Sequence, residues 1–260
     1  MKIEILYPEL CNLNGDMGNI RYLKKCVPEI EILETTINEK PKFIDQGDIS
    51  LVYMGTSTEK SQEIIIEKLK PYTEQIKQKI DNNQLFLFLG NSLEILGKYI
   101  ENEDGSKIEA LGIFDIYAKR NMLNRHNSFF LGTYEDIEIL GFRGQFTMLY
   151  GNNENNYFAK AEMGIGINEQ TKLEGIHKNN FLATYIIGPI LILNPYFTLK
   201  LLKMMGVENP KLAFEKEVIE AYNIRLKSLK NYKAKTKKLI SRKDGWFFCF
   251  TYWKKIDIMI

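Results

Sequence analysis

The sequence predicts an α/β fold: a mostly parallel central sheet flanked by helices, with a helix appended at the C-terminal end. Three observations carry this. Short apolar runs alternate with amphipathic stretches through roughly residue 100, the rhythm of strand–helix units that lay strands in parallel. The runs ISLVYMGT and LFLFLG are almost continuously apolar, as strands covered on both faces are. From Lys211 to Lys243 a long polar stretch begins acidic and ends strongly basic, the order that suits a helix dipole.

Taken in order, MKIEILYP is a strand stopped by Pro8, because proline cannot donate to a ladder. CNLNGDMGNIRYLKKCV is a Gly/Asn/Asp loop that opens into a helix at about Gly18. IEILETTI and ISLVYMGT are the next strands. Ser57 or Thr58 can cap the helix EKSQEIIIEKLKPYTEQIKQKI, which Pro71 kinks or divides. LFLFLG is the fourth strand, and SLEILGKYI the helix expected after it. Beyond residue 100 the texture turns antiparallel, in FFLGTYEDIEILGFRGQFTMLYG and NYFAKAEMGIGIN. FLATYIIGPILIL returns to a buried strand ending at Gly188-Pro189, and YFTLKLLKMMG is a helix closed by Gly206. The last segment, DGWFFCFTYWKKIDIMI, is densely aromatic. These features divide the chain into a domain over 1–206 and a basic helix with an aromatic tail over 207–260.

Composition narrows the function. Lys+Arg 35 nearly balances Asp+Glu 33, which argues against a nucleic-acid binder. Cys11, Cys26 and Cys249 lie far apart with no CxxC pair, so neither a disulfide framework nor a zinc site is expected. No metal and no cofactor is expected. The apolar start MKIEILYPEL contains acidic residues, unlike a signal peptide. No run approaches the roughly 18 uncharged residues of a spanning helix. A cytoplasmic setting is the expectation.

LFLFLGNSLEILG, residues 85–97, has the shape of a buried strand turning sharply into a helix. In many α/β enzymes that turn carries a nucleophile. The candidate positions are Leu89, Gly90, Asn91 and Ser92. Ser92 lacks the second glycine of a G-x-S-x-G elbow, and a serine there suits a first helical turn.

LYPELCNLNGDMGN, residues 6–19, is more specific. It resembles the N-terminal signature of the CobB/CobQ-like type 1 glutamine amidotransferases. Within that family it is most similar to the glutaminase subunits that serve peptidoglycan-precursor (lipid II) amidation. MGTSTEKSQ, LGNSLEILGKY, GIFDIY, GFRGQF and ATYIIGP follow in the family's motif order, over about residues 1–206. In the family a cysteine at the elbow attacks the side-chain carbonyl of glutamine. A histidine on a later loop serves as base, and backbone N–H groups hold the oxyanion. The resemblance puts that cysteine at Gly90 and that histidine at Ile187. The oxyanion loop keeps Gly55, but Thr56 and Ser57 replace its next two glycines. Gly144 and Gln145 stand where an Asn and a His are expected, while Leu96, Gly97, Gly141, Phe142, Thr184, Tyr185, Gly188 and Pro189 keep the frame.

The resemblance therefore implies a glutaminase-like protein without an intact catalytic pair, a pseudoenzyme. It would act as a binding or regulatory subunit of a Mur-ligase-like synthetase. Its old pocket, with Asp16, Gly55, Asn91, Ser92, Arg125 and Tyr185 as candidate lining, could still take glutamine or a related small molecule. An arginine such as Arg125 suits a substrate carboxylate, or is an exposed loop residue. Asp16 either meets a ligand or ties its Gly-rich turn together. Two alternatives stay open. The chain could be an active amidohydrolase with a relocated nucleophile at Ser92 or Cys11. It could instead be a membrane-peripheral scaffold whose aromatic tail meets the lipid surface. His126 is read beside Arg125, and His177 as part of a solvated polar turn.

Overall fold

The computed structural model describes residues 1–240. The strands are β1 (Lys2–Leu6), β2 (Glu31–Thr35), β3 (Ile49–Met54), β4 (Phe86–Leu89), β5 (Tyr99–Glu101), β6 (Lys107–Glu109), β7 (Ile116–Arg120), β8 (His126–Tyr134), β9 (Ile137–Gln145), β10 (Thr147–Gly151), β11 (Ala159–Met163), β12 (Leu173–Glu174), β13 (Ile176–Lys178) and β14 (Phe181–Thr184). The helices are α1 (Met17–Cys26), α2 (Glu59–Leu69), α3 (Thr73–Asp81), α4 (Ile190–Leu193), α5 (Pro195–Met204) and α6 (Glu215–Ile240).

The main sheet runs β13-β14-β4-β3-β1-β2. From β2 across to β14 every neighbouring pair is parallel, and only the edge strand β13 is antiparallel. The sequence dictates this by period-2 burial on two covered faces. Val52, Met54, Phe86, Phe88, Phe181 and Ala183 point into one core. Their neighbours Leu51, Tyr53, Leu87, Leu89 and Leu182 point into the other. Two four-stranded sheets, β10-β7-β5-β6 and β12-β11-β8-β9, form the flank from Tyr99 onward; their pairs are antiparallel except β5 with β7, which is parallel. Pro71 divides the predicted long helix as its missing N–H requires, leaving α2, a single 3-10 turn over Lys70–Tyr72, and α3. Thr58 caps α2 by accepting the Ser61 N–H at 3.2 Å.

Three local expectations are corrected. The segment after the elbow is a 3-10 helix, Gly90–Leu96, followed by β5, not an α-helix running on through Tyr99 and Ile100. All seven of its residues are buried, so it has no solvent face on which a longer amphipathic helix could rest. At Gly97 an added Cβ would meet the Ile116 carbonyl at 2.8 Å, which holds the chain close to β7 and turns it into β5. The buried strand β14 ends at Thr184, short of Gly188. There the Glu174 carboxylate accepts the Thr184 hydroxyl at 2.8 Å and the Tyr185 N–H at 2.7 Å, drawing the chain out of the ladder. His177 is not in a solvated turn: it lies in β13, half-buried, with its ring 5.3 Å from that of Tyr134.

By internal contacts the chain divides into two compact units, Met1–Ile219 and Glu220–Ile260. The described part of the second is the remainder of α6, whose first turn carries Glu215 and Glu217. The aromatic tail from Trp246 onward lies outside the described residues. Among the described residues no helix is long and apolar enough to cross a membrane.

Candidate active site

Strand β4 drives the chain outward to Gly90, which sits at φ +60. That left-handed backbone suits glycine, and side-chain-bearing residues hold it only under strain. It is the geometry of an elbow that presents one residue at the end of a parallel strand. Here the presented volume is already occupied. A Cβ built on Gly90 would meet Thr56 Oγ1 at 2.6 Å and Thr56 Cγ2 at 2.7 Å. Thr56 is stiff at χ1 and is held in place, since its hydroxyl donates to Asp16 Oδ1 at 3.1 Å. Asp16 is fully buried, its other oxygen accepts the Asn14 N–H at 3.0 Å, and burial holds its carboxyl above the usual range. Gly55 lies beneath. A Cβ there would come within 2.2 Å of the Cys11 carbonyl and 2.6 Å of Asp16 Cβ, so the close approach of the two loops demands glycine.

The loop after β3 is clamped to the elbow by one side chain. Asn91 Oδ1 accepts the Ser57 N–H at 3.0 Å, and Asn91 Nδ2 donates to the Ser57 carbonyl at 2.9 Å. The amide thereby saturates a backbone donor of the loop that the resemblance assigns to the oxyanion. Ser92 is buried, and its hydroxyl donates to the Leu89 carbonyl at 2.7 Å. This is a local closure of the turn rather than an exposed nucleophile. Cys11 is also buried, and burial pushes its thiol well up. A thiol held protonated in that way is inert at neutral pH.

Ile187 is buried and bridges Phe142, donating its N–H to the Phe142 carbonyl at 2.9 Å. Tyr185 is buried, and its hydroxyl donates to Glu94 at 2.8 Å. Glu94 is fully buried and also accepts from Thr147 and from Gln62, the latter at 2.8 Å. Burial raises its pKa, and the hydrogen bonds oppose that in part. Gln62 ties this group to the elbow through the Asn91 carbonyl at 2.7 Å, and its Oε1 accepts from Arg120 at 3.0 Å. Arg143 is buried above Tyr185, with Cζ 5.0 Å from the ring centre. Its guanidinium bonds Gln145 Oε1 and the carbonyls of Ile165 and Gly166.

Of the six candidate lining residues, Asp16, Gly55 and Asn91 come together around Gly90 and Thr56. Ser92 and Tyr185 lie behind them with their hydroxyls engaged. Arg125 is elsewhere. It is exposed, its Cζ lies 5.5 Å above the Phe146 ring, and it lines a groove of about 490 Å³. Sequence reading did not single out Glu94, Arg143 or Asn19. Asn19 joins the two signature loops: its amide reaches the Asp16 carbonyl and the Tyr53 hydroxyl, and its Oδ1 accepts the Leu191 N–H at 3.0 Å. Its place inside GDMGN was the available signal. Arg143 carried one too, as the one charge inside GFRGQF.

The CobB/CobQ-like glutamine amidotransferase domain matches residues 2–194. The chain belongs to this family. It is 27% identical over 239 residues to the lipid II isoglutaminyl synthase (glutamine-hydrolyzing) subunit GatD of Streptococcus pneumoniae, covering 86% of this chain and 90% of that one. It is likewise 27% identical over 211 residues to the subunit of that name from Staphylococcus aureus, covering 80% and 85%. A solved glutamine amidotransferase superposes with a TM-score of 0.51 at 14% identity, covering 79% of this chain and 99% of that one. At that identity the likeness speaks to the fold, which is that of the class I glutamine amidotransferases.

Proposed function

We propose that this chain is a non-catalytic member of its family, one that keeps the glutaminase frame and has lost the hydrolytic chemistry. The reading rests on one observation above all: Thr56 occupies the volume that a side chain at Gly90 would need. Glycine at the elbow supplies no nucleophile, and Ile187 can move no proton. Thr56 adds that the vacated space is filled and fixed by Asp16, and Asn91 adds that the loop N–H of Ser57 is engaged from within. A substrate carbonyl meets no attacking group there, and the Ser57 N–H is already engaged. Ser92 and Cys11, the two relocated nucleophiles considered, are both buried and bonded or protonated, which disfavours an active hydrolase.

A protein built this way acts through binding. Its relatives are named as subunits of lipid II isoglutaminyl synthase. The corresponding role here is a binding or regulatory subunit of a cytoplasmic Mur-ligase-like synthetase in peptidoglycan-precursor amidation. The test has two arms on purified full-length chain: ammonia release from glutamine, alone and with such a synthetase, and co-elution of the two proteins on size exclusion. The reading expects co-elution and no ammonia above the enzyme-free rate. Steady glutamine turnover in either arm sinks it.

A further inference from the structure

Among the chain's asparagines only Asn14 is followed by glycine. The pair lies in the loop between β1 and α1. The two peptide groups around Asn14 are held very differently. The Asn14 N–H donates to Asp16 Oδ2 at 3.0 Å. The Gly15 N–H reaches only the Asn12 carbonyl, at 3.4 Å, which is longer than an ordinary N–H···O bond. Gly15 is exposed, its φ of +73 suits glycine, and a Cβ there would have no neighbour within 4 Å. The Asn14 side chain is half-buried and makes no hydrogen bond to any described residue.

A loosely held backbone nitrogen beside a free side-chain amide is a nucleophile beside an electrophile. A bond from the Gly15 nitrogen to Asn14 Cγ closes a cyclic imide. The bond from Cγ to the amide nitrogen breaks, and that nitrogen leaves as ammonia with the proton given up by the Gly15 N–H. Water then opens the imide at either carbonyl, leaving an aspartyl or an isoaspartyl residue. A side chain on residue 15 would crowd the attack; glycine has none, and the space around it is open. The product bears on the elbow. An isoaspartyl link adds a backbone atom between Asn14 Cα and the Gly15 nitrogen, and both products add a negative charge near the buried Asp16. Asp16 accepts the Asn14 N–H on one oxygen and the Thr56 hydroxyl on the other. A shift of the turn therefore loosens the contact that fixes Thr56.

We propose that Asn14–Gly15 is a self-modification site, which converts to an aspartyl or isoaspartyl residue, releases one ammonia per chain and loosens the Asp16–Thr56 contact. The reaction uses neither glutamine nor an elbow nucleophile, so it stands whether or not the elbow is silent. The test incubates the purified full chain without glutamine at mildly acidic and mildly alkaline pH. Digested samples are read by mass spectrometry and by isoaspartyl methylation. The peptide carrying Asn14 should convert ahead of every other asparagine peptide, and faster at alkaline pH, because the attacking nitrogen must lose its proton. Its rate should lie within tenfold of that in the same chain unfolded in urea. Free ammonia should rise in step and stop at one per chain, whereas ammonia that keeps rising with added glutamine belongs to the elbow and sinks the function proposed above. Asn14→Gln keeps an amide but sets its carbon one methylene further out, and should slow conversion and ammonia release at least tenfold. The Asn14 side chain carries no bond, so this variant does not threaten folding. The converted chain should unfold at lower urea than the unconverted one. Conversion in the folded chain more than tenfold below the unfolded one, ammonia unchanged in Asn14→Gln, or an unfolding midpoint unmoved by conversion overturns the proposal.

Discussion

At the level of single residues, the elbow is a set of mutually fitted positions. Gly90 without a side chain and Thr56 with one occupy a single volume, so each makes sense only with the other. Gly90→Cys alone should therefore overpack the elbow and destabilise the fold by about 1–3 kcal/mol. Thr56→Gly should relieve most of that cost, so a double-mutant cycle read by urea unfolding should show strong coupling. Additive effects would mean that the two side chains do not compete. Asn91→Ala removes both bonds to Ser57 and leaves a buried N–H and carbonyl unmet. The expected loss is about 1–3 kcal/mol, measured in the same way.

Glu94 makes a pH prediction. Burial raises its folded-state pKa above the unfolded value of 4.5. The folded state then holds the proton more tightly. The stability contribution is fully present below about pH 4.5 and is lost as pH rises through the higher folded value. Glu94→Gln keeps a neutral amide there, and the Thr147 and Tyr185 hydroxyls can rotate to accept from it. The stability difference between variant and wild type should thus move in the variant's favour from pH 4 towards pH 7. A difference that stays flat over that window would show that Glu94 does not titrate as argued.

Among the elements, α2 ends at Pro71 and begins at Thr58, and both limits follow from local chemistry. Thr58→Ala removes the cap on Ser61 and should cost about 1 kcal/mol of stability, by thermal or denaturant unfolding. These limits were legible in the sequence for that reason, as were β3 and β4, whose apolar runs are continuous enough to show two covered faces. The 3-10 helix after the elbow was not. GNSLEILG carries helix-like spacing, and only tertiary burial of every residue decides against a longer helix. His177 misled in the same way, because a polar neighbourhood in sequence hides the Tyr134 ring that covers it. The sharp turn at Gly90 could be placed from its flanking motifs. Thr56 as the occupant of the elbow could not, because only folding brings residues 56 and 90 together.

Across the whole molecule, a buried polar seam runs behind the elbow from Arg120 through Gln62 and Glu94 to Tyr185, with Arg143 stacked on Tyr185. A seam of linked buried hydrogen bonds of this kind rigidifies the frame behind the elbow. The most direct test of the central claim is ammonia release from glutamine by two engineered variants. One is Gly90→Cys/Ile187→His, and the other adds Thr56→Gly. The account predicts that the double variant stays silent, because Thr56 still fills the nucleophile's place, and that the triple variant gains measurable turnover. Equal activity in the two would contradict it, since the elbow would then be open without the removal of Thr56.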